Sequence, residues 1–293
     1  MVRIMNNKKL HALCSRIMAC DSLEDVIKVL ERFTRRLPKR KKRGTWGYHA
    51  QKLLDALRVD SVAFSIFVKG NGKLPFYAFS ALPKYSCPGA GECLKWCYSF
   101  RAWRYPAAFF RQLQNTILLT YRPETIAHAF LALPSDIEFR LYVDGDFESS
   151  ERVAYWMQLL EQRVDINAYG YSKSWAQLLE HDFNVGQWPT NYTLNLSSGS
   201  KWANNAAYFA AVSHLPITRG QFVAVPIASD GIPNGSKRYN SAEYHARVRN
   251  ALRKEYGKRV VSCGGLCGDC GNGKHWCGDR DKLQNVVVGI GIH

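Results

Sequence analysis

The sequence predicts an α/β fold, a partial or complete (β/α) barrel that follows a basic helical extension at the N-terminus. From residue 60 onward, strand-like and helix-like segments alternate roughly every 25–35 residues, which is typical of βαβ units on a parallel sheet. Polar residues follow most of the strand-like segments. Because chemistry in such barrels lies at the carboxyl ends of the strands, these polar residues are candidates for a functional site.

The predicted elements begin with a helix over residues 22–36, where Ser22 and Asp25 form a capping pair. Two strands follow at 62–68 and 76–82, and residues 106–132 predict helix, broken into two near Pro123. The remaining segments alternate as strand 137–147, helix 149–162, strand 166–172, helix 174–182, strand 192–198, helix 201–213, strand 222–228, helix 241–257, and strands 259–263 and 285–290.

Length and composition indicate a folded protein without a membrane span. The chain has 293 residues and is 46% hydrophobic, enough for one large domain or two small ones. No apolar stretch approaches the roughly 20 residues that cross a bilayer, and the N-terminal segment is a poor signal peptide. We therefore expect a cytoplasmic protein with no membrane partner. The sequence does not set an oligomeric state.

The charge distribution points to a nucleic-acid partner. The net charge is +16, from 40 basic and 24 acidic residues, and a basic run follows the first predicted helix. We expect DNA rather than RNA, with an aromatic residue stacking on bases. Alternatively, the run is a solvated linker without a ligand. The predicted contact residues are Arg35, Arg36, Lys39, Arg40, Lys41, Lys42, Arg43 and Trp46.

We interpret residues 1–50 as the basic extension, and residues 51–293 as the barrel-like domain with a cysteine-rich C-terminal segment.

Seven of the nine cysteines fall into two groups, while Cys14 and Cys20 stand apart. Clustered thiols in a cytoplasmic protein indicate metal, and glycine-rich cysteine loops suit iron–sulfur clusters. Zinc also accepts four thiolates and stays an alternative. The seven serve either one site or two, that is, one or two [4Fe–4S] clusters. The first cysteine group is Cys87, Cys93 and Cys97, and the second cysteine group is Cys263, Cys267, Cys270 and Cys277.

The position of the first cysteine group resembles that of the ligand loop in radical S-adenosylmethionine (SAM) enzymes. The group directly follows a predicted strand, and the next strand ends YVDGDF. The resemblance implies a radical-SAM-like barrel, a [4Fe–4S] cluster and SAM as a cofactor. The usual Cys-x3-Cys-x2-Cys spacing occurs instead at Cys263, Cys267 and Cys270. A second cluster or a closed structural cluster is therefore an equal alternative.

Four features of the chain also resemble a phage and plasmid protein family, labelled gene product eighty-eight. They are ALPKYSCPGAGECLKWCYSFRAW, FRLYVDGDF, AYGYSKSW and the cysteine-rich end, which together cover roughly residues 70–280. The resemblance implies a mobile-element origin, hence a bacterial host cell, and a metal cluster.

Polar residues after three successive strands are the other site candidates. Asp144 and Asp146 could bind a divalent metal, act as acid and base, or merely cap the next helix. Tyr171 and Lys173 follow the next strand, and an exposed tyrosine near carboxylates could act as a nucleophile in DNA nicking. We assign cofactor binding to the last pair, Ser197 and Ser198. Barrel geometry places all of them on one rim with the first cysteine group.

These patterns predict an iron–sulfur protein of a phage or plasmid that binds nucleic acid, in replication or processing of the element's DNA. The first alternative is a radical-SAM-type enzyme that modifies nucleic acid or protein. The second is a nucleic-acid-binding module held together by zinc.

Overall fold

The structure is a computed structural model that describes residues 5–38, 42–70, 74–268, 270, 275–279 and 284–292. Three members of the predicted basic run, Lys39, Arg40 and Lys41, lie outside the described residues.

An eight-stranded, mostly parallel sheet organises the described chain. The strands are β1 (Val68–Lys69), β2 (Tyr77–Ala78), β3 (Glu138–Leu141), β4 (Asn167–Ser172), β5 (Tyr192–Ser197), β6 (Thr218–Pro226), β7 (Val260–Ser262) and β8 (Val287–Ile292). They lie in the order β1-β2-β3-β4-β5-β6-β8-β7, and only β1 pairs antiparallel. The predicted α/β class is confirmed. The sheet of the described strands is open, with β1 and β7 at its edges, so the complete barrel is not confirmed.

Ten α-helices occur in the described residues: α1 (Asn7–Met18), α2 (Leu23–Arg35), α3 (Trp46–Arg58), α4 (Ser99–Ala102), α5 (Pro106–Tyr121), α6 (Pro123–Leu131), α7 (Ser150–Glu161), α8 (Trp175–Asn184), α9 (Ala206–Ser213) and α10 (Ala242–Tyr256). The break near Pro123 is confirmed, because a proline has no N–H to continue α5 and suits the first turn of α6. The sequence did not predict α1 and α3.

The first two strands are much shorter than the predicted 62–68 and 76–82. The backbone of residues 64–66 bonds to side chains of α5 instead of to a neighbouring strand. Phe64 exchanges two hydrogen bonds of 2.8 Å with the Gln114 amide, and Asn115 donates to the Ile66 carbonyl at 3.1 Å. These amides satisfy backbone groups that a strand would have paired in a ladder.

Helices cover one face of the sheet. Phe139 of β3, Ala168 of β4 and Leu194 of β5 join one buried core with Trp156 of α7 and other residues of α5–α9. Helix α10 packs on the same side through Val248 and Leu252, which form a core with strands β6–β8. This helix-covered face is apolar and carries most of the burial that holds the fold together.

The opposite face of the sheet carries polar side chains next to a small aromatic and aliphatic cluster. Side chains alternate between faces along a strand, and the register aligns residues of the same face across neighbouring strands. The cysteine-rich C-terminal segment lies against this side, where His275 packs its ring edge-on to Tyr169 at 4.4 Å between centroids. We define the polar face by Arg140, Tyr169, Tyr171, Thr193 and Asn195.

The first three helices share a core with α5. Leu30 of α2 and Leu53 of α3 are buried in it together with Phe109 and Phe110. Trp46, predicted to stack on bases, is only 5% exposed and packs against both phenylalanines, so that prediction is wrong. Within the described residues, no helix combines the length and apolarity that a membrane crossing needs.

Candidate functional site

The first cysteine group lies in a loop that docks on the segment after β5. The backbone N–H groups of Gly91 and Cys93 both donate to the Gly199 carbonyl, at 3.0 and 3.3 Å, and Lys201 N–H donates to Gly89 at 2.9 Å. A short 3-10 turn, Glu92–Lys95, follows. Backbone hydrogen bonds therefore fix the loop directly at the carboxyl edge of the parallel strands.

Glycine is required where this loop touches its neighbours. A Cβ on Gly89 would lie 1.8 Å from the Lys173 carbonyl oxygen. Gly199 has φ +78°, and a Cβ there would lie 2.8 Å from the Cys93 nitrogen. Only glycine permits both the close approach and the left-handed backbone, so these glycines allow the loop to pack directly against its neighbours.

Three strand ends meet below the loop. The Asp146 carboxylate accepts hydrogen bonds from the Ser172 hydroxyl and the Lys173 N–H, both at 2.7 Å. The Lys173 ammonium in turn donates to the Ser197 hydroxyl at 2.7 Å. The structure thus brings Asp146, Lys173 and Ser197 together beside the first cysteine group. Ser198 differs, since its hydroxyl accepts from Ala224 N–H of β6 at 2.8 Å.

Both predicted carboxylates are buried and hydrogen-bonded. Gln112 of α5 donates to Asp144 at 2.8 Å, while its own amide oxygen accepts from Trp103. Burial raises the pKa of Asp144 and Asp146, and their hydrogen bonds oppose that shift. In this arrangement the carboxylates position the strand-end loops.

The thiols of the first cysteine group share one electrostatic environment. Burial raises the pKa of the Cys87 and Cys93 thiols, and the Lys173 ammonium opposes that shift at both. The Cys97 sulfur adds to the shift at both, so it lies within electrostatic range of each. Asp146 also raises the pKa of Cys87 and Cys93, so Lys173 is the neighbouring cation that favours their metal-binding thiolate form against burial and this carboxylate.

The second cysteine group converges over the polar face. Burial raises the pKa of Cys263 to about 11, and Cys267 and Cys270 add to it. Burial likewise raises the pKa of Cys277 to about 12, with contributions from Cys263 and Cys270. Each buried thiol thus lies within electrostatic range of two others of the same group.

Side chains of the polar face hold this segment. Asn195 donates to the Cys277 carbonyl at 2.8 Å and accepts from the Arg219 guanidinium at 2.7 Å. Tyr171 hydrogen-bonds the Cys277 sulfur, and its ring lies between Phe222 and the Arg140 guanidinium, each 4.8 Å from it. Burial raises the pKa of Tyr171 well above its usual value. A protonated, covered tyrosine is unsuited to nucleophilic attack, so the predicted nicking role is not supported by its surroundings.

Arg140 is a charged residue of the polar face within electrostatic range of Cys263 and Cys267 of the second cysteine group, and of Tyr98, which follows the first. Burial raises the pKa of Cys263 and of Tyr98, the neighbour of Cys97, and Arg140 partly offsets this at both. Arg140 opposes the raised pKa of the buried Asp144, and its guanidinium also interacts with the Tyr98 hydroxyl. Among the described residues, its buried Nε lacks a hydrogen-bond partner. Asp144 is one anionic group that stabilises this buried cation, and a thiolate-bound metal would be another.

The structure adds Arg140, Asn195, Gln112 and Gly89 to the residues found from sequence. Arg140 and Asn195 are polar residues that alternate with apolar neighbours along predicted strands, which is a signal for a polar face of the sheet. Among the described side chains, no three cysteine, histidine or acidic residues are already placed as ligands of one metal ion.

Comparison with known proteins identifies a family. The model of the family described as Gene product 88 matches residues 50–273, more than half of the chain and most of the described sheet. Neither a curated protein nor a solved structure matches the chain significantly. The chain therefore belongs to the gene product 88 family, which supports a phage-related protein.

Proposed function

We propose that this protein is an iron–sulfur protein that binds nucleic acid, in replication or processing of the DNA of a phage or plasmid. The observation that carries the proposal is the placement of the first cysteine group. Its three thiols lie in a glycine-supported loop at the strand ends, where the Cys97 sulfur interacts with Cys87 and with Cys93, and Lys173 opposes the raised pKa of both. Thiolates are the ligands that iron–sulfur clusters prefer, and N–H-rich glycine loops favour them.

The donor set fits a cluster at the first cysteine group. Cys87, Cys93 and Cys97 would hold it, and metal binding would draw their sulfurs together and displace their protons. Lys173 and Arg140 would offset its negative charge. The second cysteine group fits a separate metal centre with four thiolates, for which a second [4Fe–4S] cluster and zinc are the alternatives.

The cluster is tested by anaerobic purification, an absorption spectrum and analysis of iron, sulfide and zinc. We expect a brown protein with broad absorption near about 400 nm that fades in Cys93→Ser. Cys20→Ser is the matched control, because this half-buried thiol lies outside both groups, and it should keep the colour. A folded, colourless wild type with zinc and no iron would contradict the proposal.

The nucleic-acid part rests on the charge of the chain and on its exposed cations. Arg36, Lys42 and Arg43 are exposed and have no ion-pair partner among the described residues. Deleting residues 1–44 would remove α1 and α2 from a shared core, so substitutions are the cleaner test. We expect R36A/R43A to flatten the slope of log K against log salt by about 1.4–1.8. The control K69A/K237A changes two exposed lysines elsewhere on the protein and should leave the slope unchanged. Equal slopes for the wild type and R36A/R43A would contradict the nucleic-acid part of the proposal.

A second candidate function is a radical-SAM-type enzyme that modifies nucleic acid or protein. It is favoured by the position of the cysteine loop directly after β2, which opens a run of parallel strands in chain order, β2 to β6. We propose that this run forms a partial barrel. The three cysteines of the first cysteine group would leave one iron of the cluster free to bind SAM, near Ser197. Reduced protein given SAM should then form 5′-deoxyadenosine, and its absence with an intact cluster would exclude this candidate.

A further inference from the structure

Four residues just after the first cysteine group form an exposed surface that the function proposed above does not yet use. Consecutive turns run from residue 98 to residue 105, with N–H groups bonding three residues back from Arg101, Arg104 and Tyr105. Spacing by three places Tyr98, Arg101 and Arg104 on one side, and Tyr105 follows them. We call these four residues the Tyr–Arg surface.

The other side of the same turns is buried. Ser99, Trp103 and Pro106 are buried, and Trp103 also donates to Gln112 at 2.8 Å. The buried side therefore fixes the backbone while Arg101, Arg104 and Tyr105 face solvent, and Tyr98 exposes part of its ring but buries its hydroxyl. Tyr105 is 67% exposed and Tyr98 53% exposed, which is unusual for side chains of this size.

The arginines of this surface are available to an anion. Neither Arg101 nor Arg104 has an ion-pair partner within the described part of the chain. Both line a surface cavity of about 360 Å³, whose other wall includes Asn6 and Asn7 at the start of α1. Lys8 and Lys9, whose side chains are exposed, directly follow Asn7 in α1. The cavity is thus bordered by positive charge.

The surface adjoins the first cysteine group. Tyr98 follows Cys97 directly, and its hydroxyl donates to the Val143 carbonyl, two residues beyond β3. That carbonyl is next to Asp144, so the tyrosine links the exposed surface to the strand-end site. One end of the Tyr–Arg surface therefore adjoins the first cysteine group.

We propose that the Tyr–Arg surface binds single-stranded nucleic acid and leads it to the first cysteine group. This rests on the proposed nucleic-acid function and names where and in which form the nucleic acid binds. Exposed aromatic rings stack on bases, and interleaved guanidinium groups contact the phosphates between them. A duplex hides its base faces, so the tyrosines favour a single strand.

The arginines are tested by fluorescence anisotropy of the full-length protein with an oligo(dT) of about 15 nucleotides, close to the upper site size of a single binding domain. We expect R101A/R104A to weaken binding by roughly 10- to 30-fold at about 0.1 M salt and to flatten the salt slope by about 1.4. R101K/R104K should keep the slope, because the charge is retained. K69A/K237A is the charge-matched control and should stay within about twofold of wild type.

The stacking role is tested by one pair of variants. Tyr105→Ala should weaken oligo(dT) binding about fivefold or more, while Tyr105→Phe should stay close to wild type, because the ring and not the hydroxyl contacts the base. With a duplex of the same length, the two variants should bind alike.

The outcomes separate this inference from the function it rests on. A wild type that binds no oligonucleotide overturns both. A wild type whose binding falls in R36A/R43A but is unchanged in R101A/R104A and Tyr105→Ala overturns the Tyr–Arg surface alone. Equal losses for single strand and duplex in Tyr105→Ala overturn the single-strand preference. Thermal unfolding of each variant verifies the fold, which these exposed residues do not support.

Discussion

The two cysteine groups are anchored in different ways. The first cysteine group is held by backbone, since its loop exchanges N–H···O bonds with the segment after β5 and presses Gly89 against the Lys173 carbonyl. The second cysteine group is held by side chains of the polar face, of which Asn195 is the clearest example. The first loop packs closely because glycine places no side chain at the contact, whereas the second segment depends on side chains that hydrogen-bond to it.

This difference indicates separate roles. A loop fixed by backbone at the strand ends keeps its thiols next to Asp146 and Lys173, where a reacting group would be placed. The segment with the second cysteine group is fixed by amide and guanidinium side chains and covers the polar face. Its own thiols complete its structure. Variants that disturb only one of these anchors can therefore separate the roles of the two cysteine groups.

The largest effect is expected from Gly89→Ala. The added methyl group would overlap the Lys173 carbonyl oxygen, and backbone on both sides would have to move. We expect a loss of about 3 kcal/mol in the free energy of unfolding, measured in urea, with loss of metal from the first cysteine group alone.

Gly44→Ala is the control for glycine conformation. Gly44 has φ +90° and nothing within 4 Å of a Cβ, so only backbone strain of about 1–2 kcal/mol should appear. Equal losses of unfolding free energy in Gly89→Ala and Gly44→Ala would contradict the close packing of Gly89 against the backbone of Lys173.

A smaller effect is expected from Asn195→Ala. The variant leaves the Cys277 carbonyl and the Arg219 guanidinium each without one buried hydrogen bond. We expect a loss of about 2 kcal/mol and faster proteolysis within residues 263–279. Asn184→Ala, an exposed residue at the end of α8, should stay within about 0.5 kcal/mol of wild type. Unchanged proteolysis in Asn195→Ala would mean that the polar face does not hold the segment.

The pH dependence of metal binding gives the next effect. With pKa values raised to about 11 for Cys263 and about 12 for Cys277, these thiols are protonated at neutral pH without metal. Metal must displace the protons, so affinity rises with pH by about tenfold per unit for each thiol, or about 1.4 kcal/mol. Competition of Zn²⁺ with a chelator at several pH values measures this. C263S/C277S should flatten the dependence, and a pH-independent wild type would argue against thiolate ligation.

The smallest effect on stability is expected from Lys173→Ala. Among the described residues, its ammonium donates one hydrogen bond, to Ser197, so the free energy of unfolding should fall by about 1 kcal/mol or less. Burial raises the pKa of Cys87 and Cys93, and Lys173 opposes it, so the variant should raise both further. Slower alkylation of these thiols at a given pH would show this, and Lys173→Arg should react like wild type. Unchanged alkylation in Lys173→Ala would place the ammonium outside the site.

Much of the fold was predictable from the sequence because local sequence patterns determine it. Periodicity indicated the α/β class, and Pro123 indicated the break between α5 and α6. The meeting of Asp146, Lys173 and the first cysteine group could also be derived, since neighbouring parallel strands end at one edge.

The rest depends on contacts between distant parts of the chain. The 62–68 segment looks like a strand, but amides about 50 residues away, on α5, bond its backbone. Trp46 follows a basic run, yet Phe109 and Phe110 bury it. The sequence marks Arg140 only as a charged residue within a strand, and the strand register is needed to show that it shares a face with Tyr169 and Tyr171 under the second cysteine group.

The most direct test of the central claim, two separate thiolate metal centres in one iron–sulfur protein, is the metal and sulfide content of three anaerobically purified proteins. These are the wild type, C87S/C93S/C97S and C263S/C267S/C270S, each shown to be folded by circular dichroism. We expect iron and sulfide in the wild type, and each variant should lose only the metal of its own group. Loss of all metal in either folded variant, or a folded wild type without iron, would contradict the account.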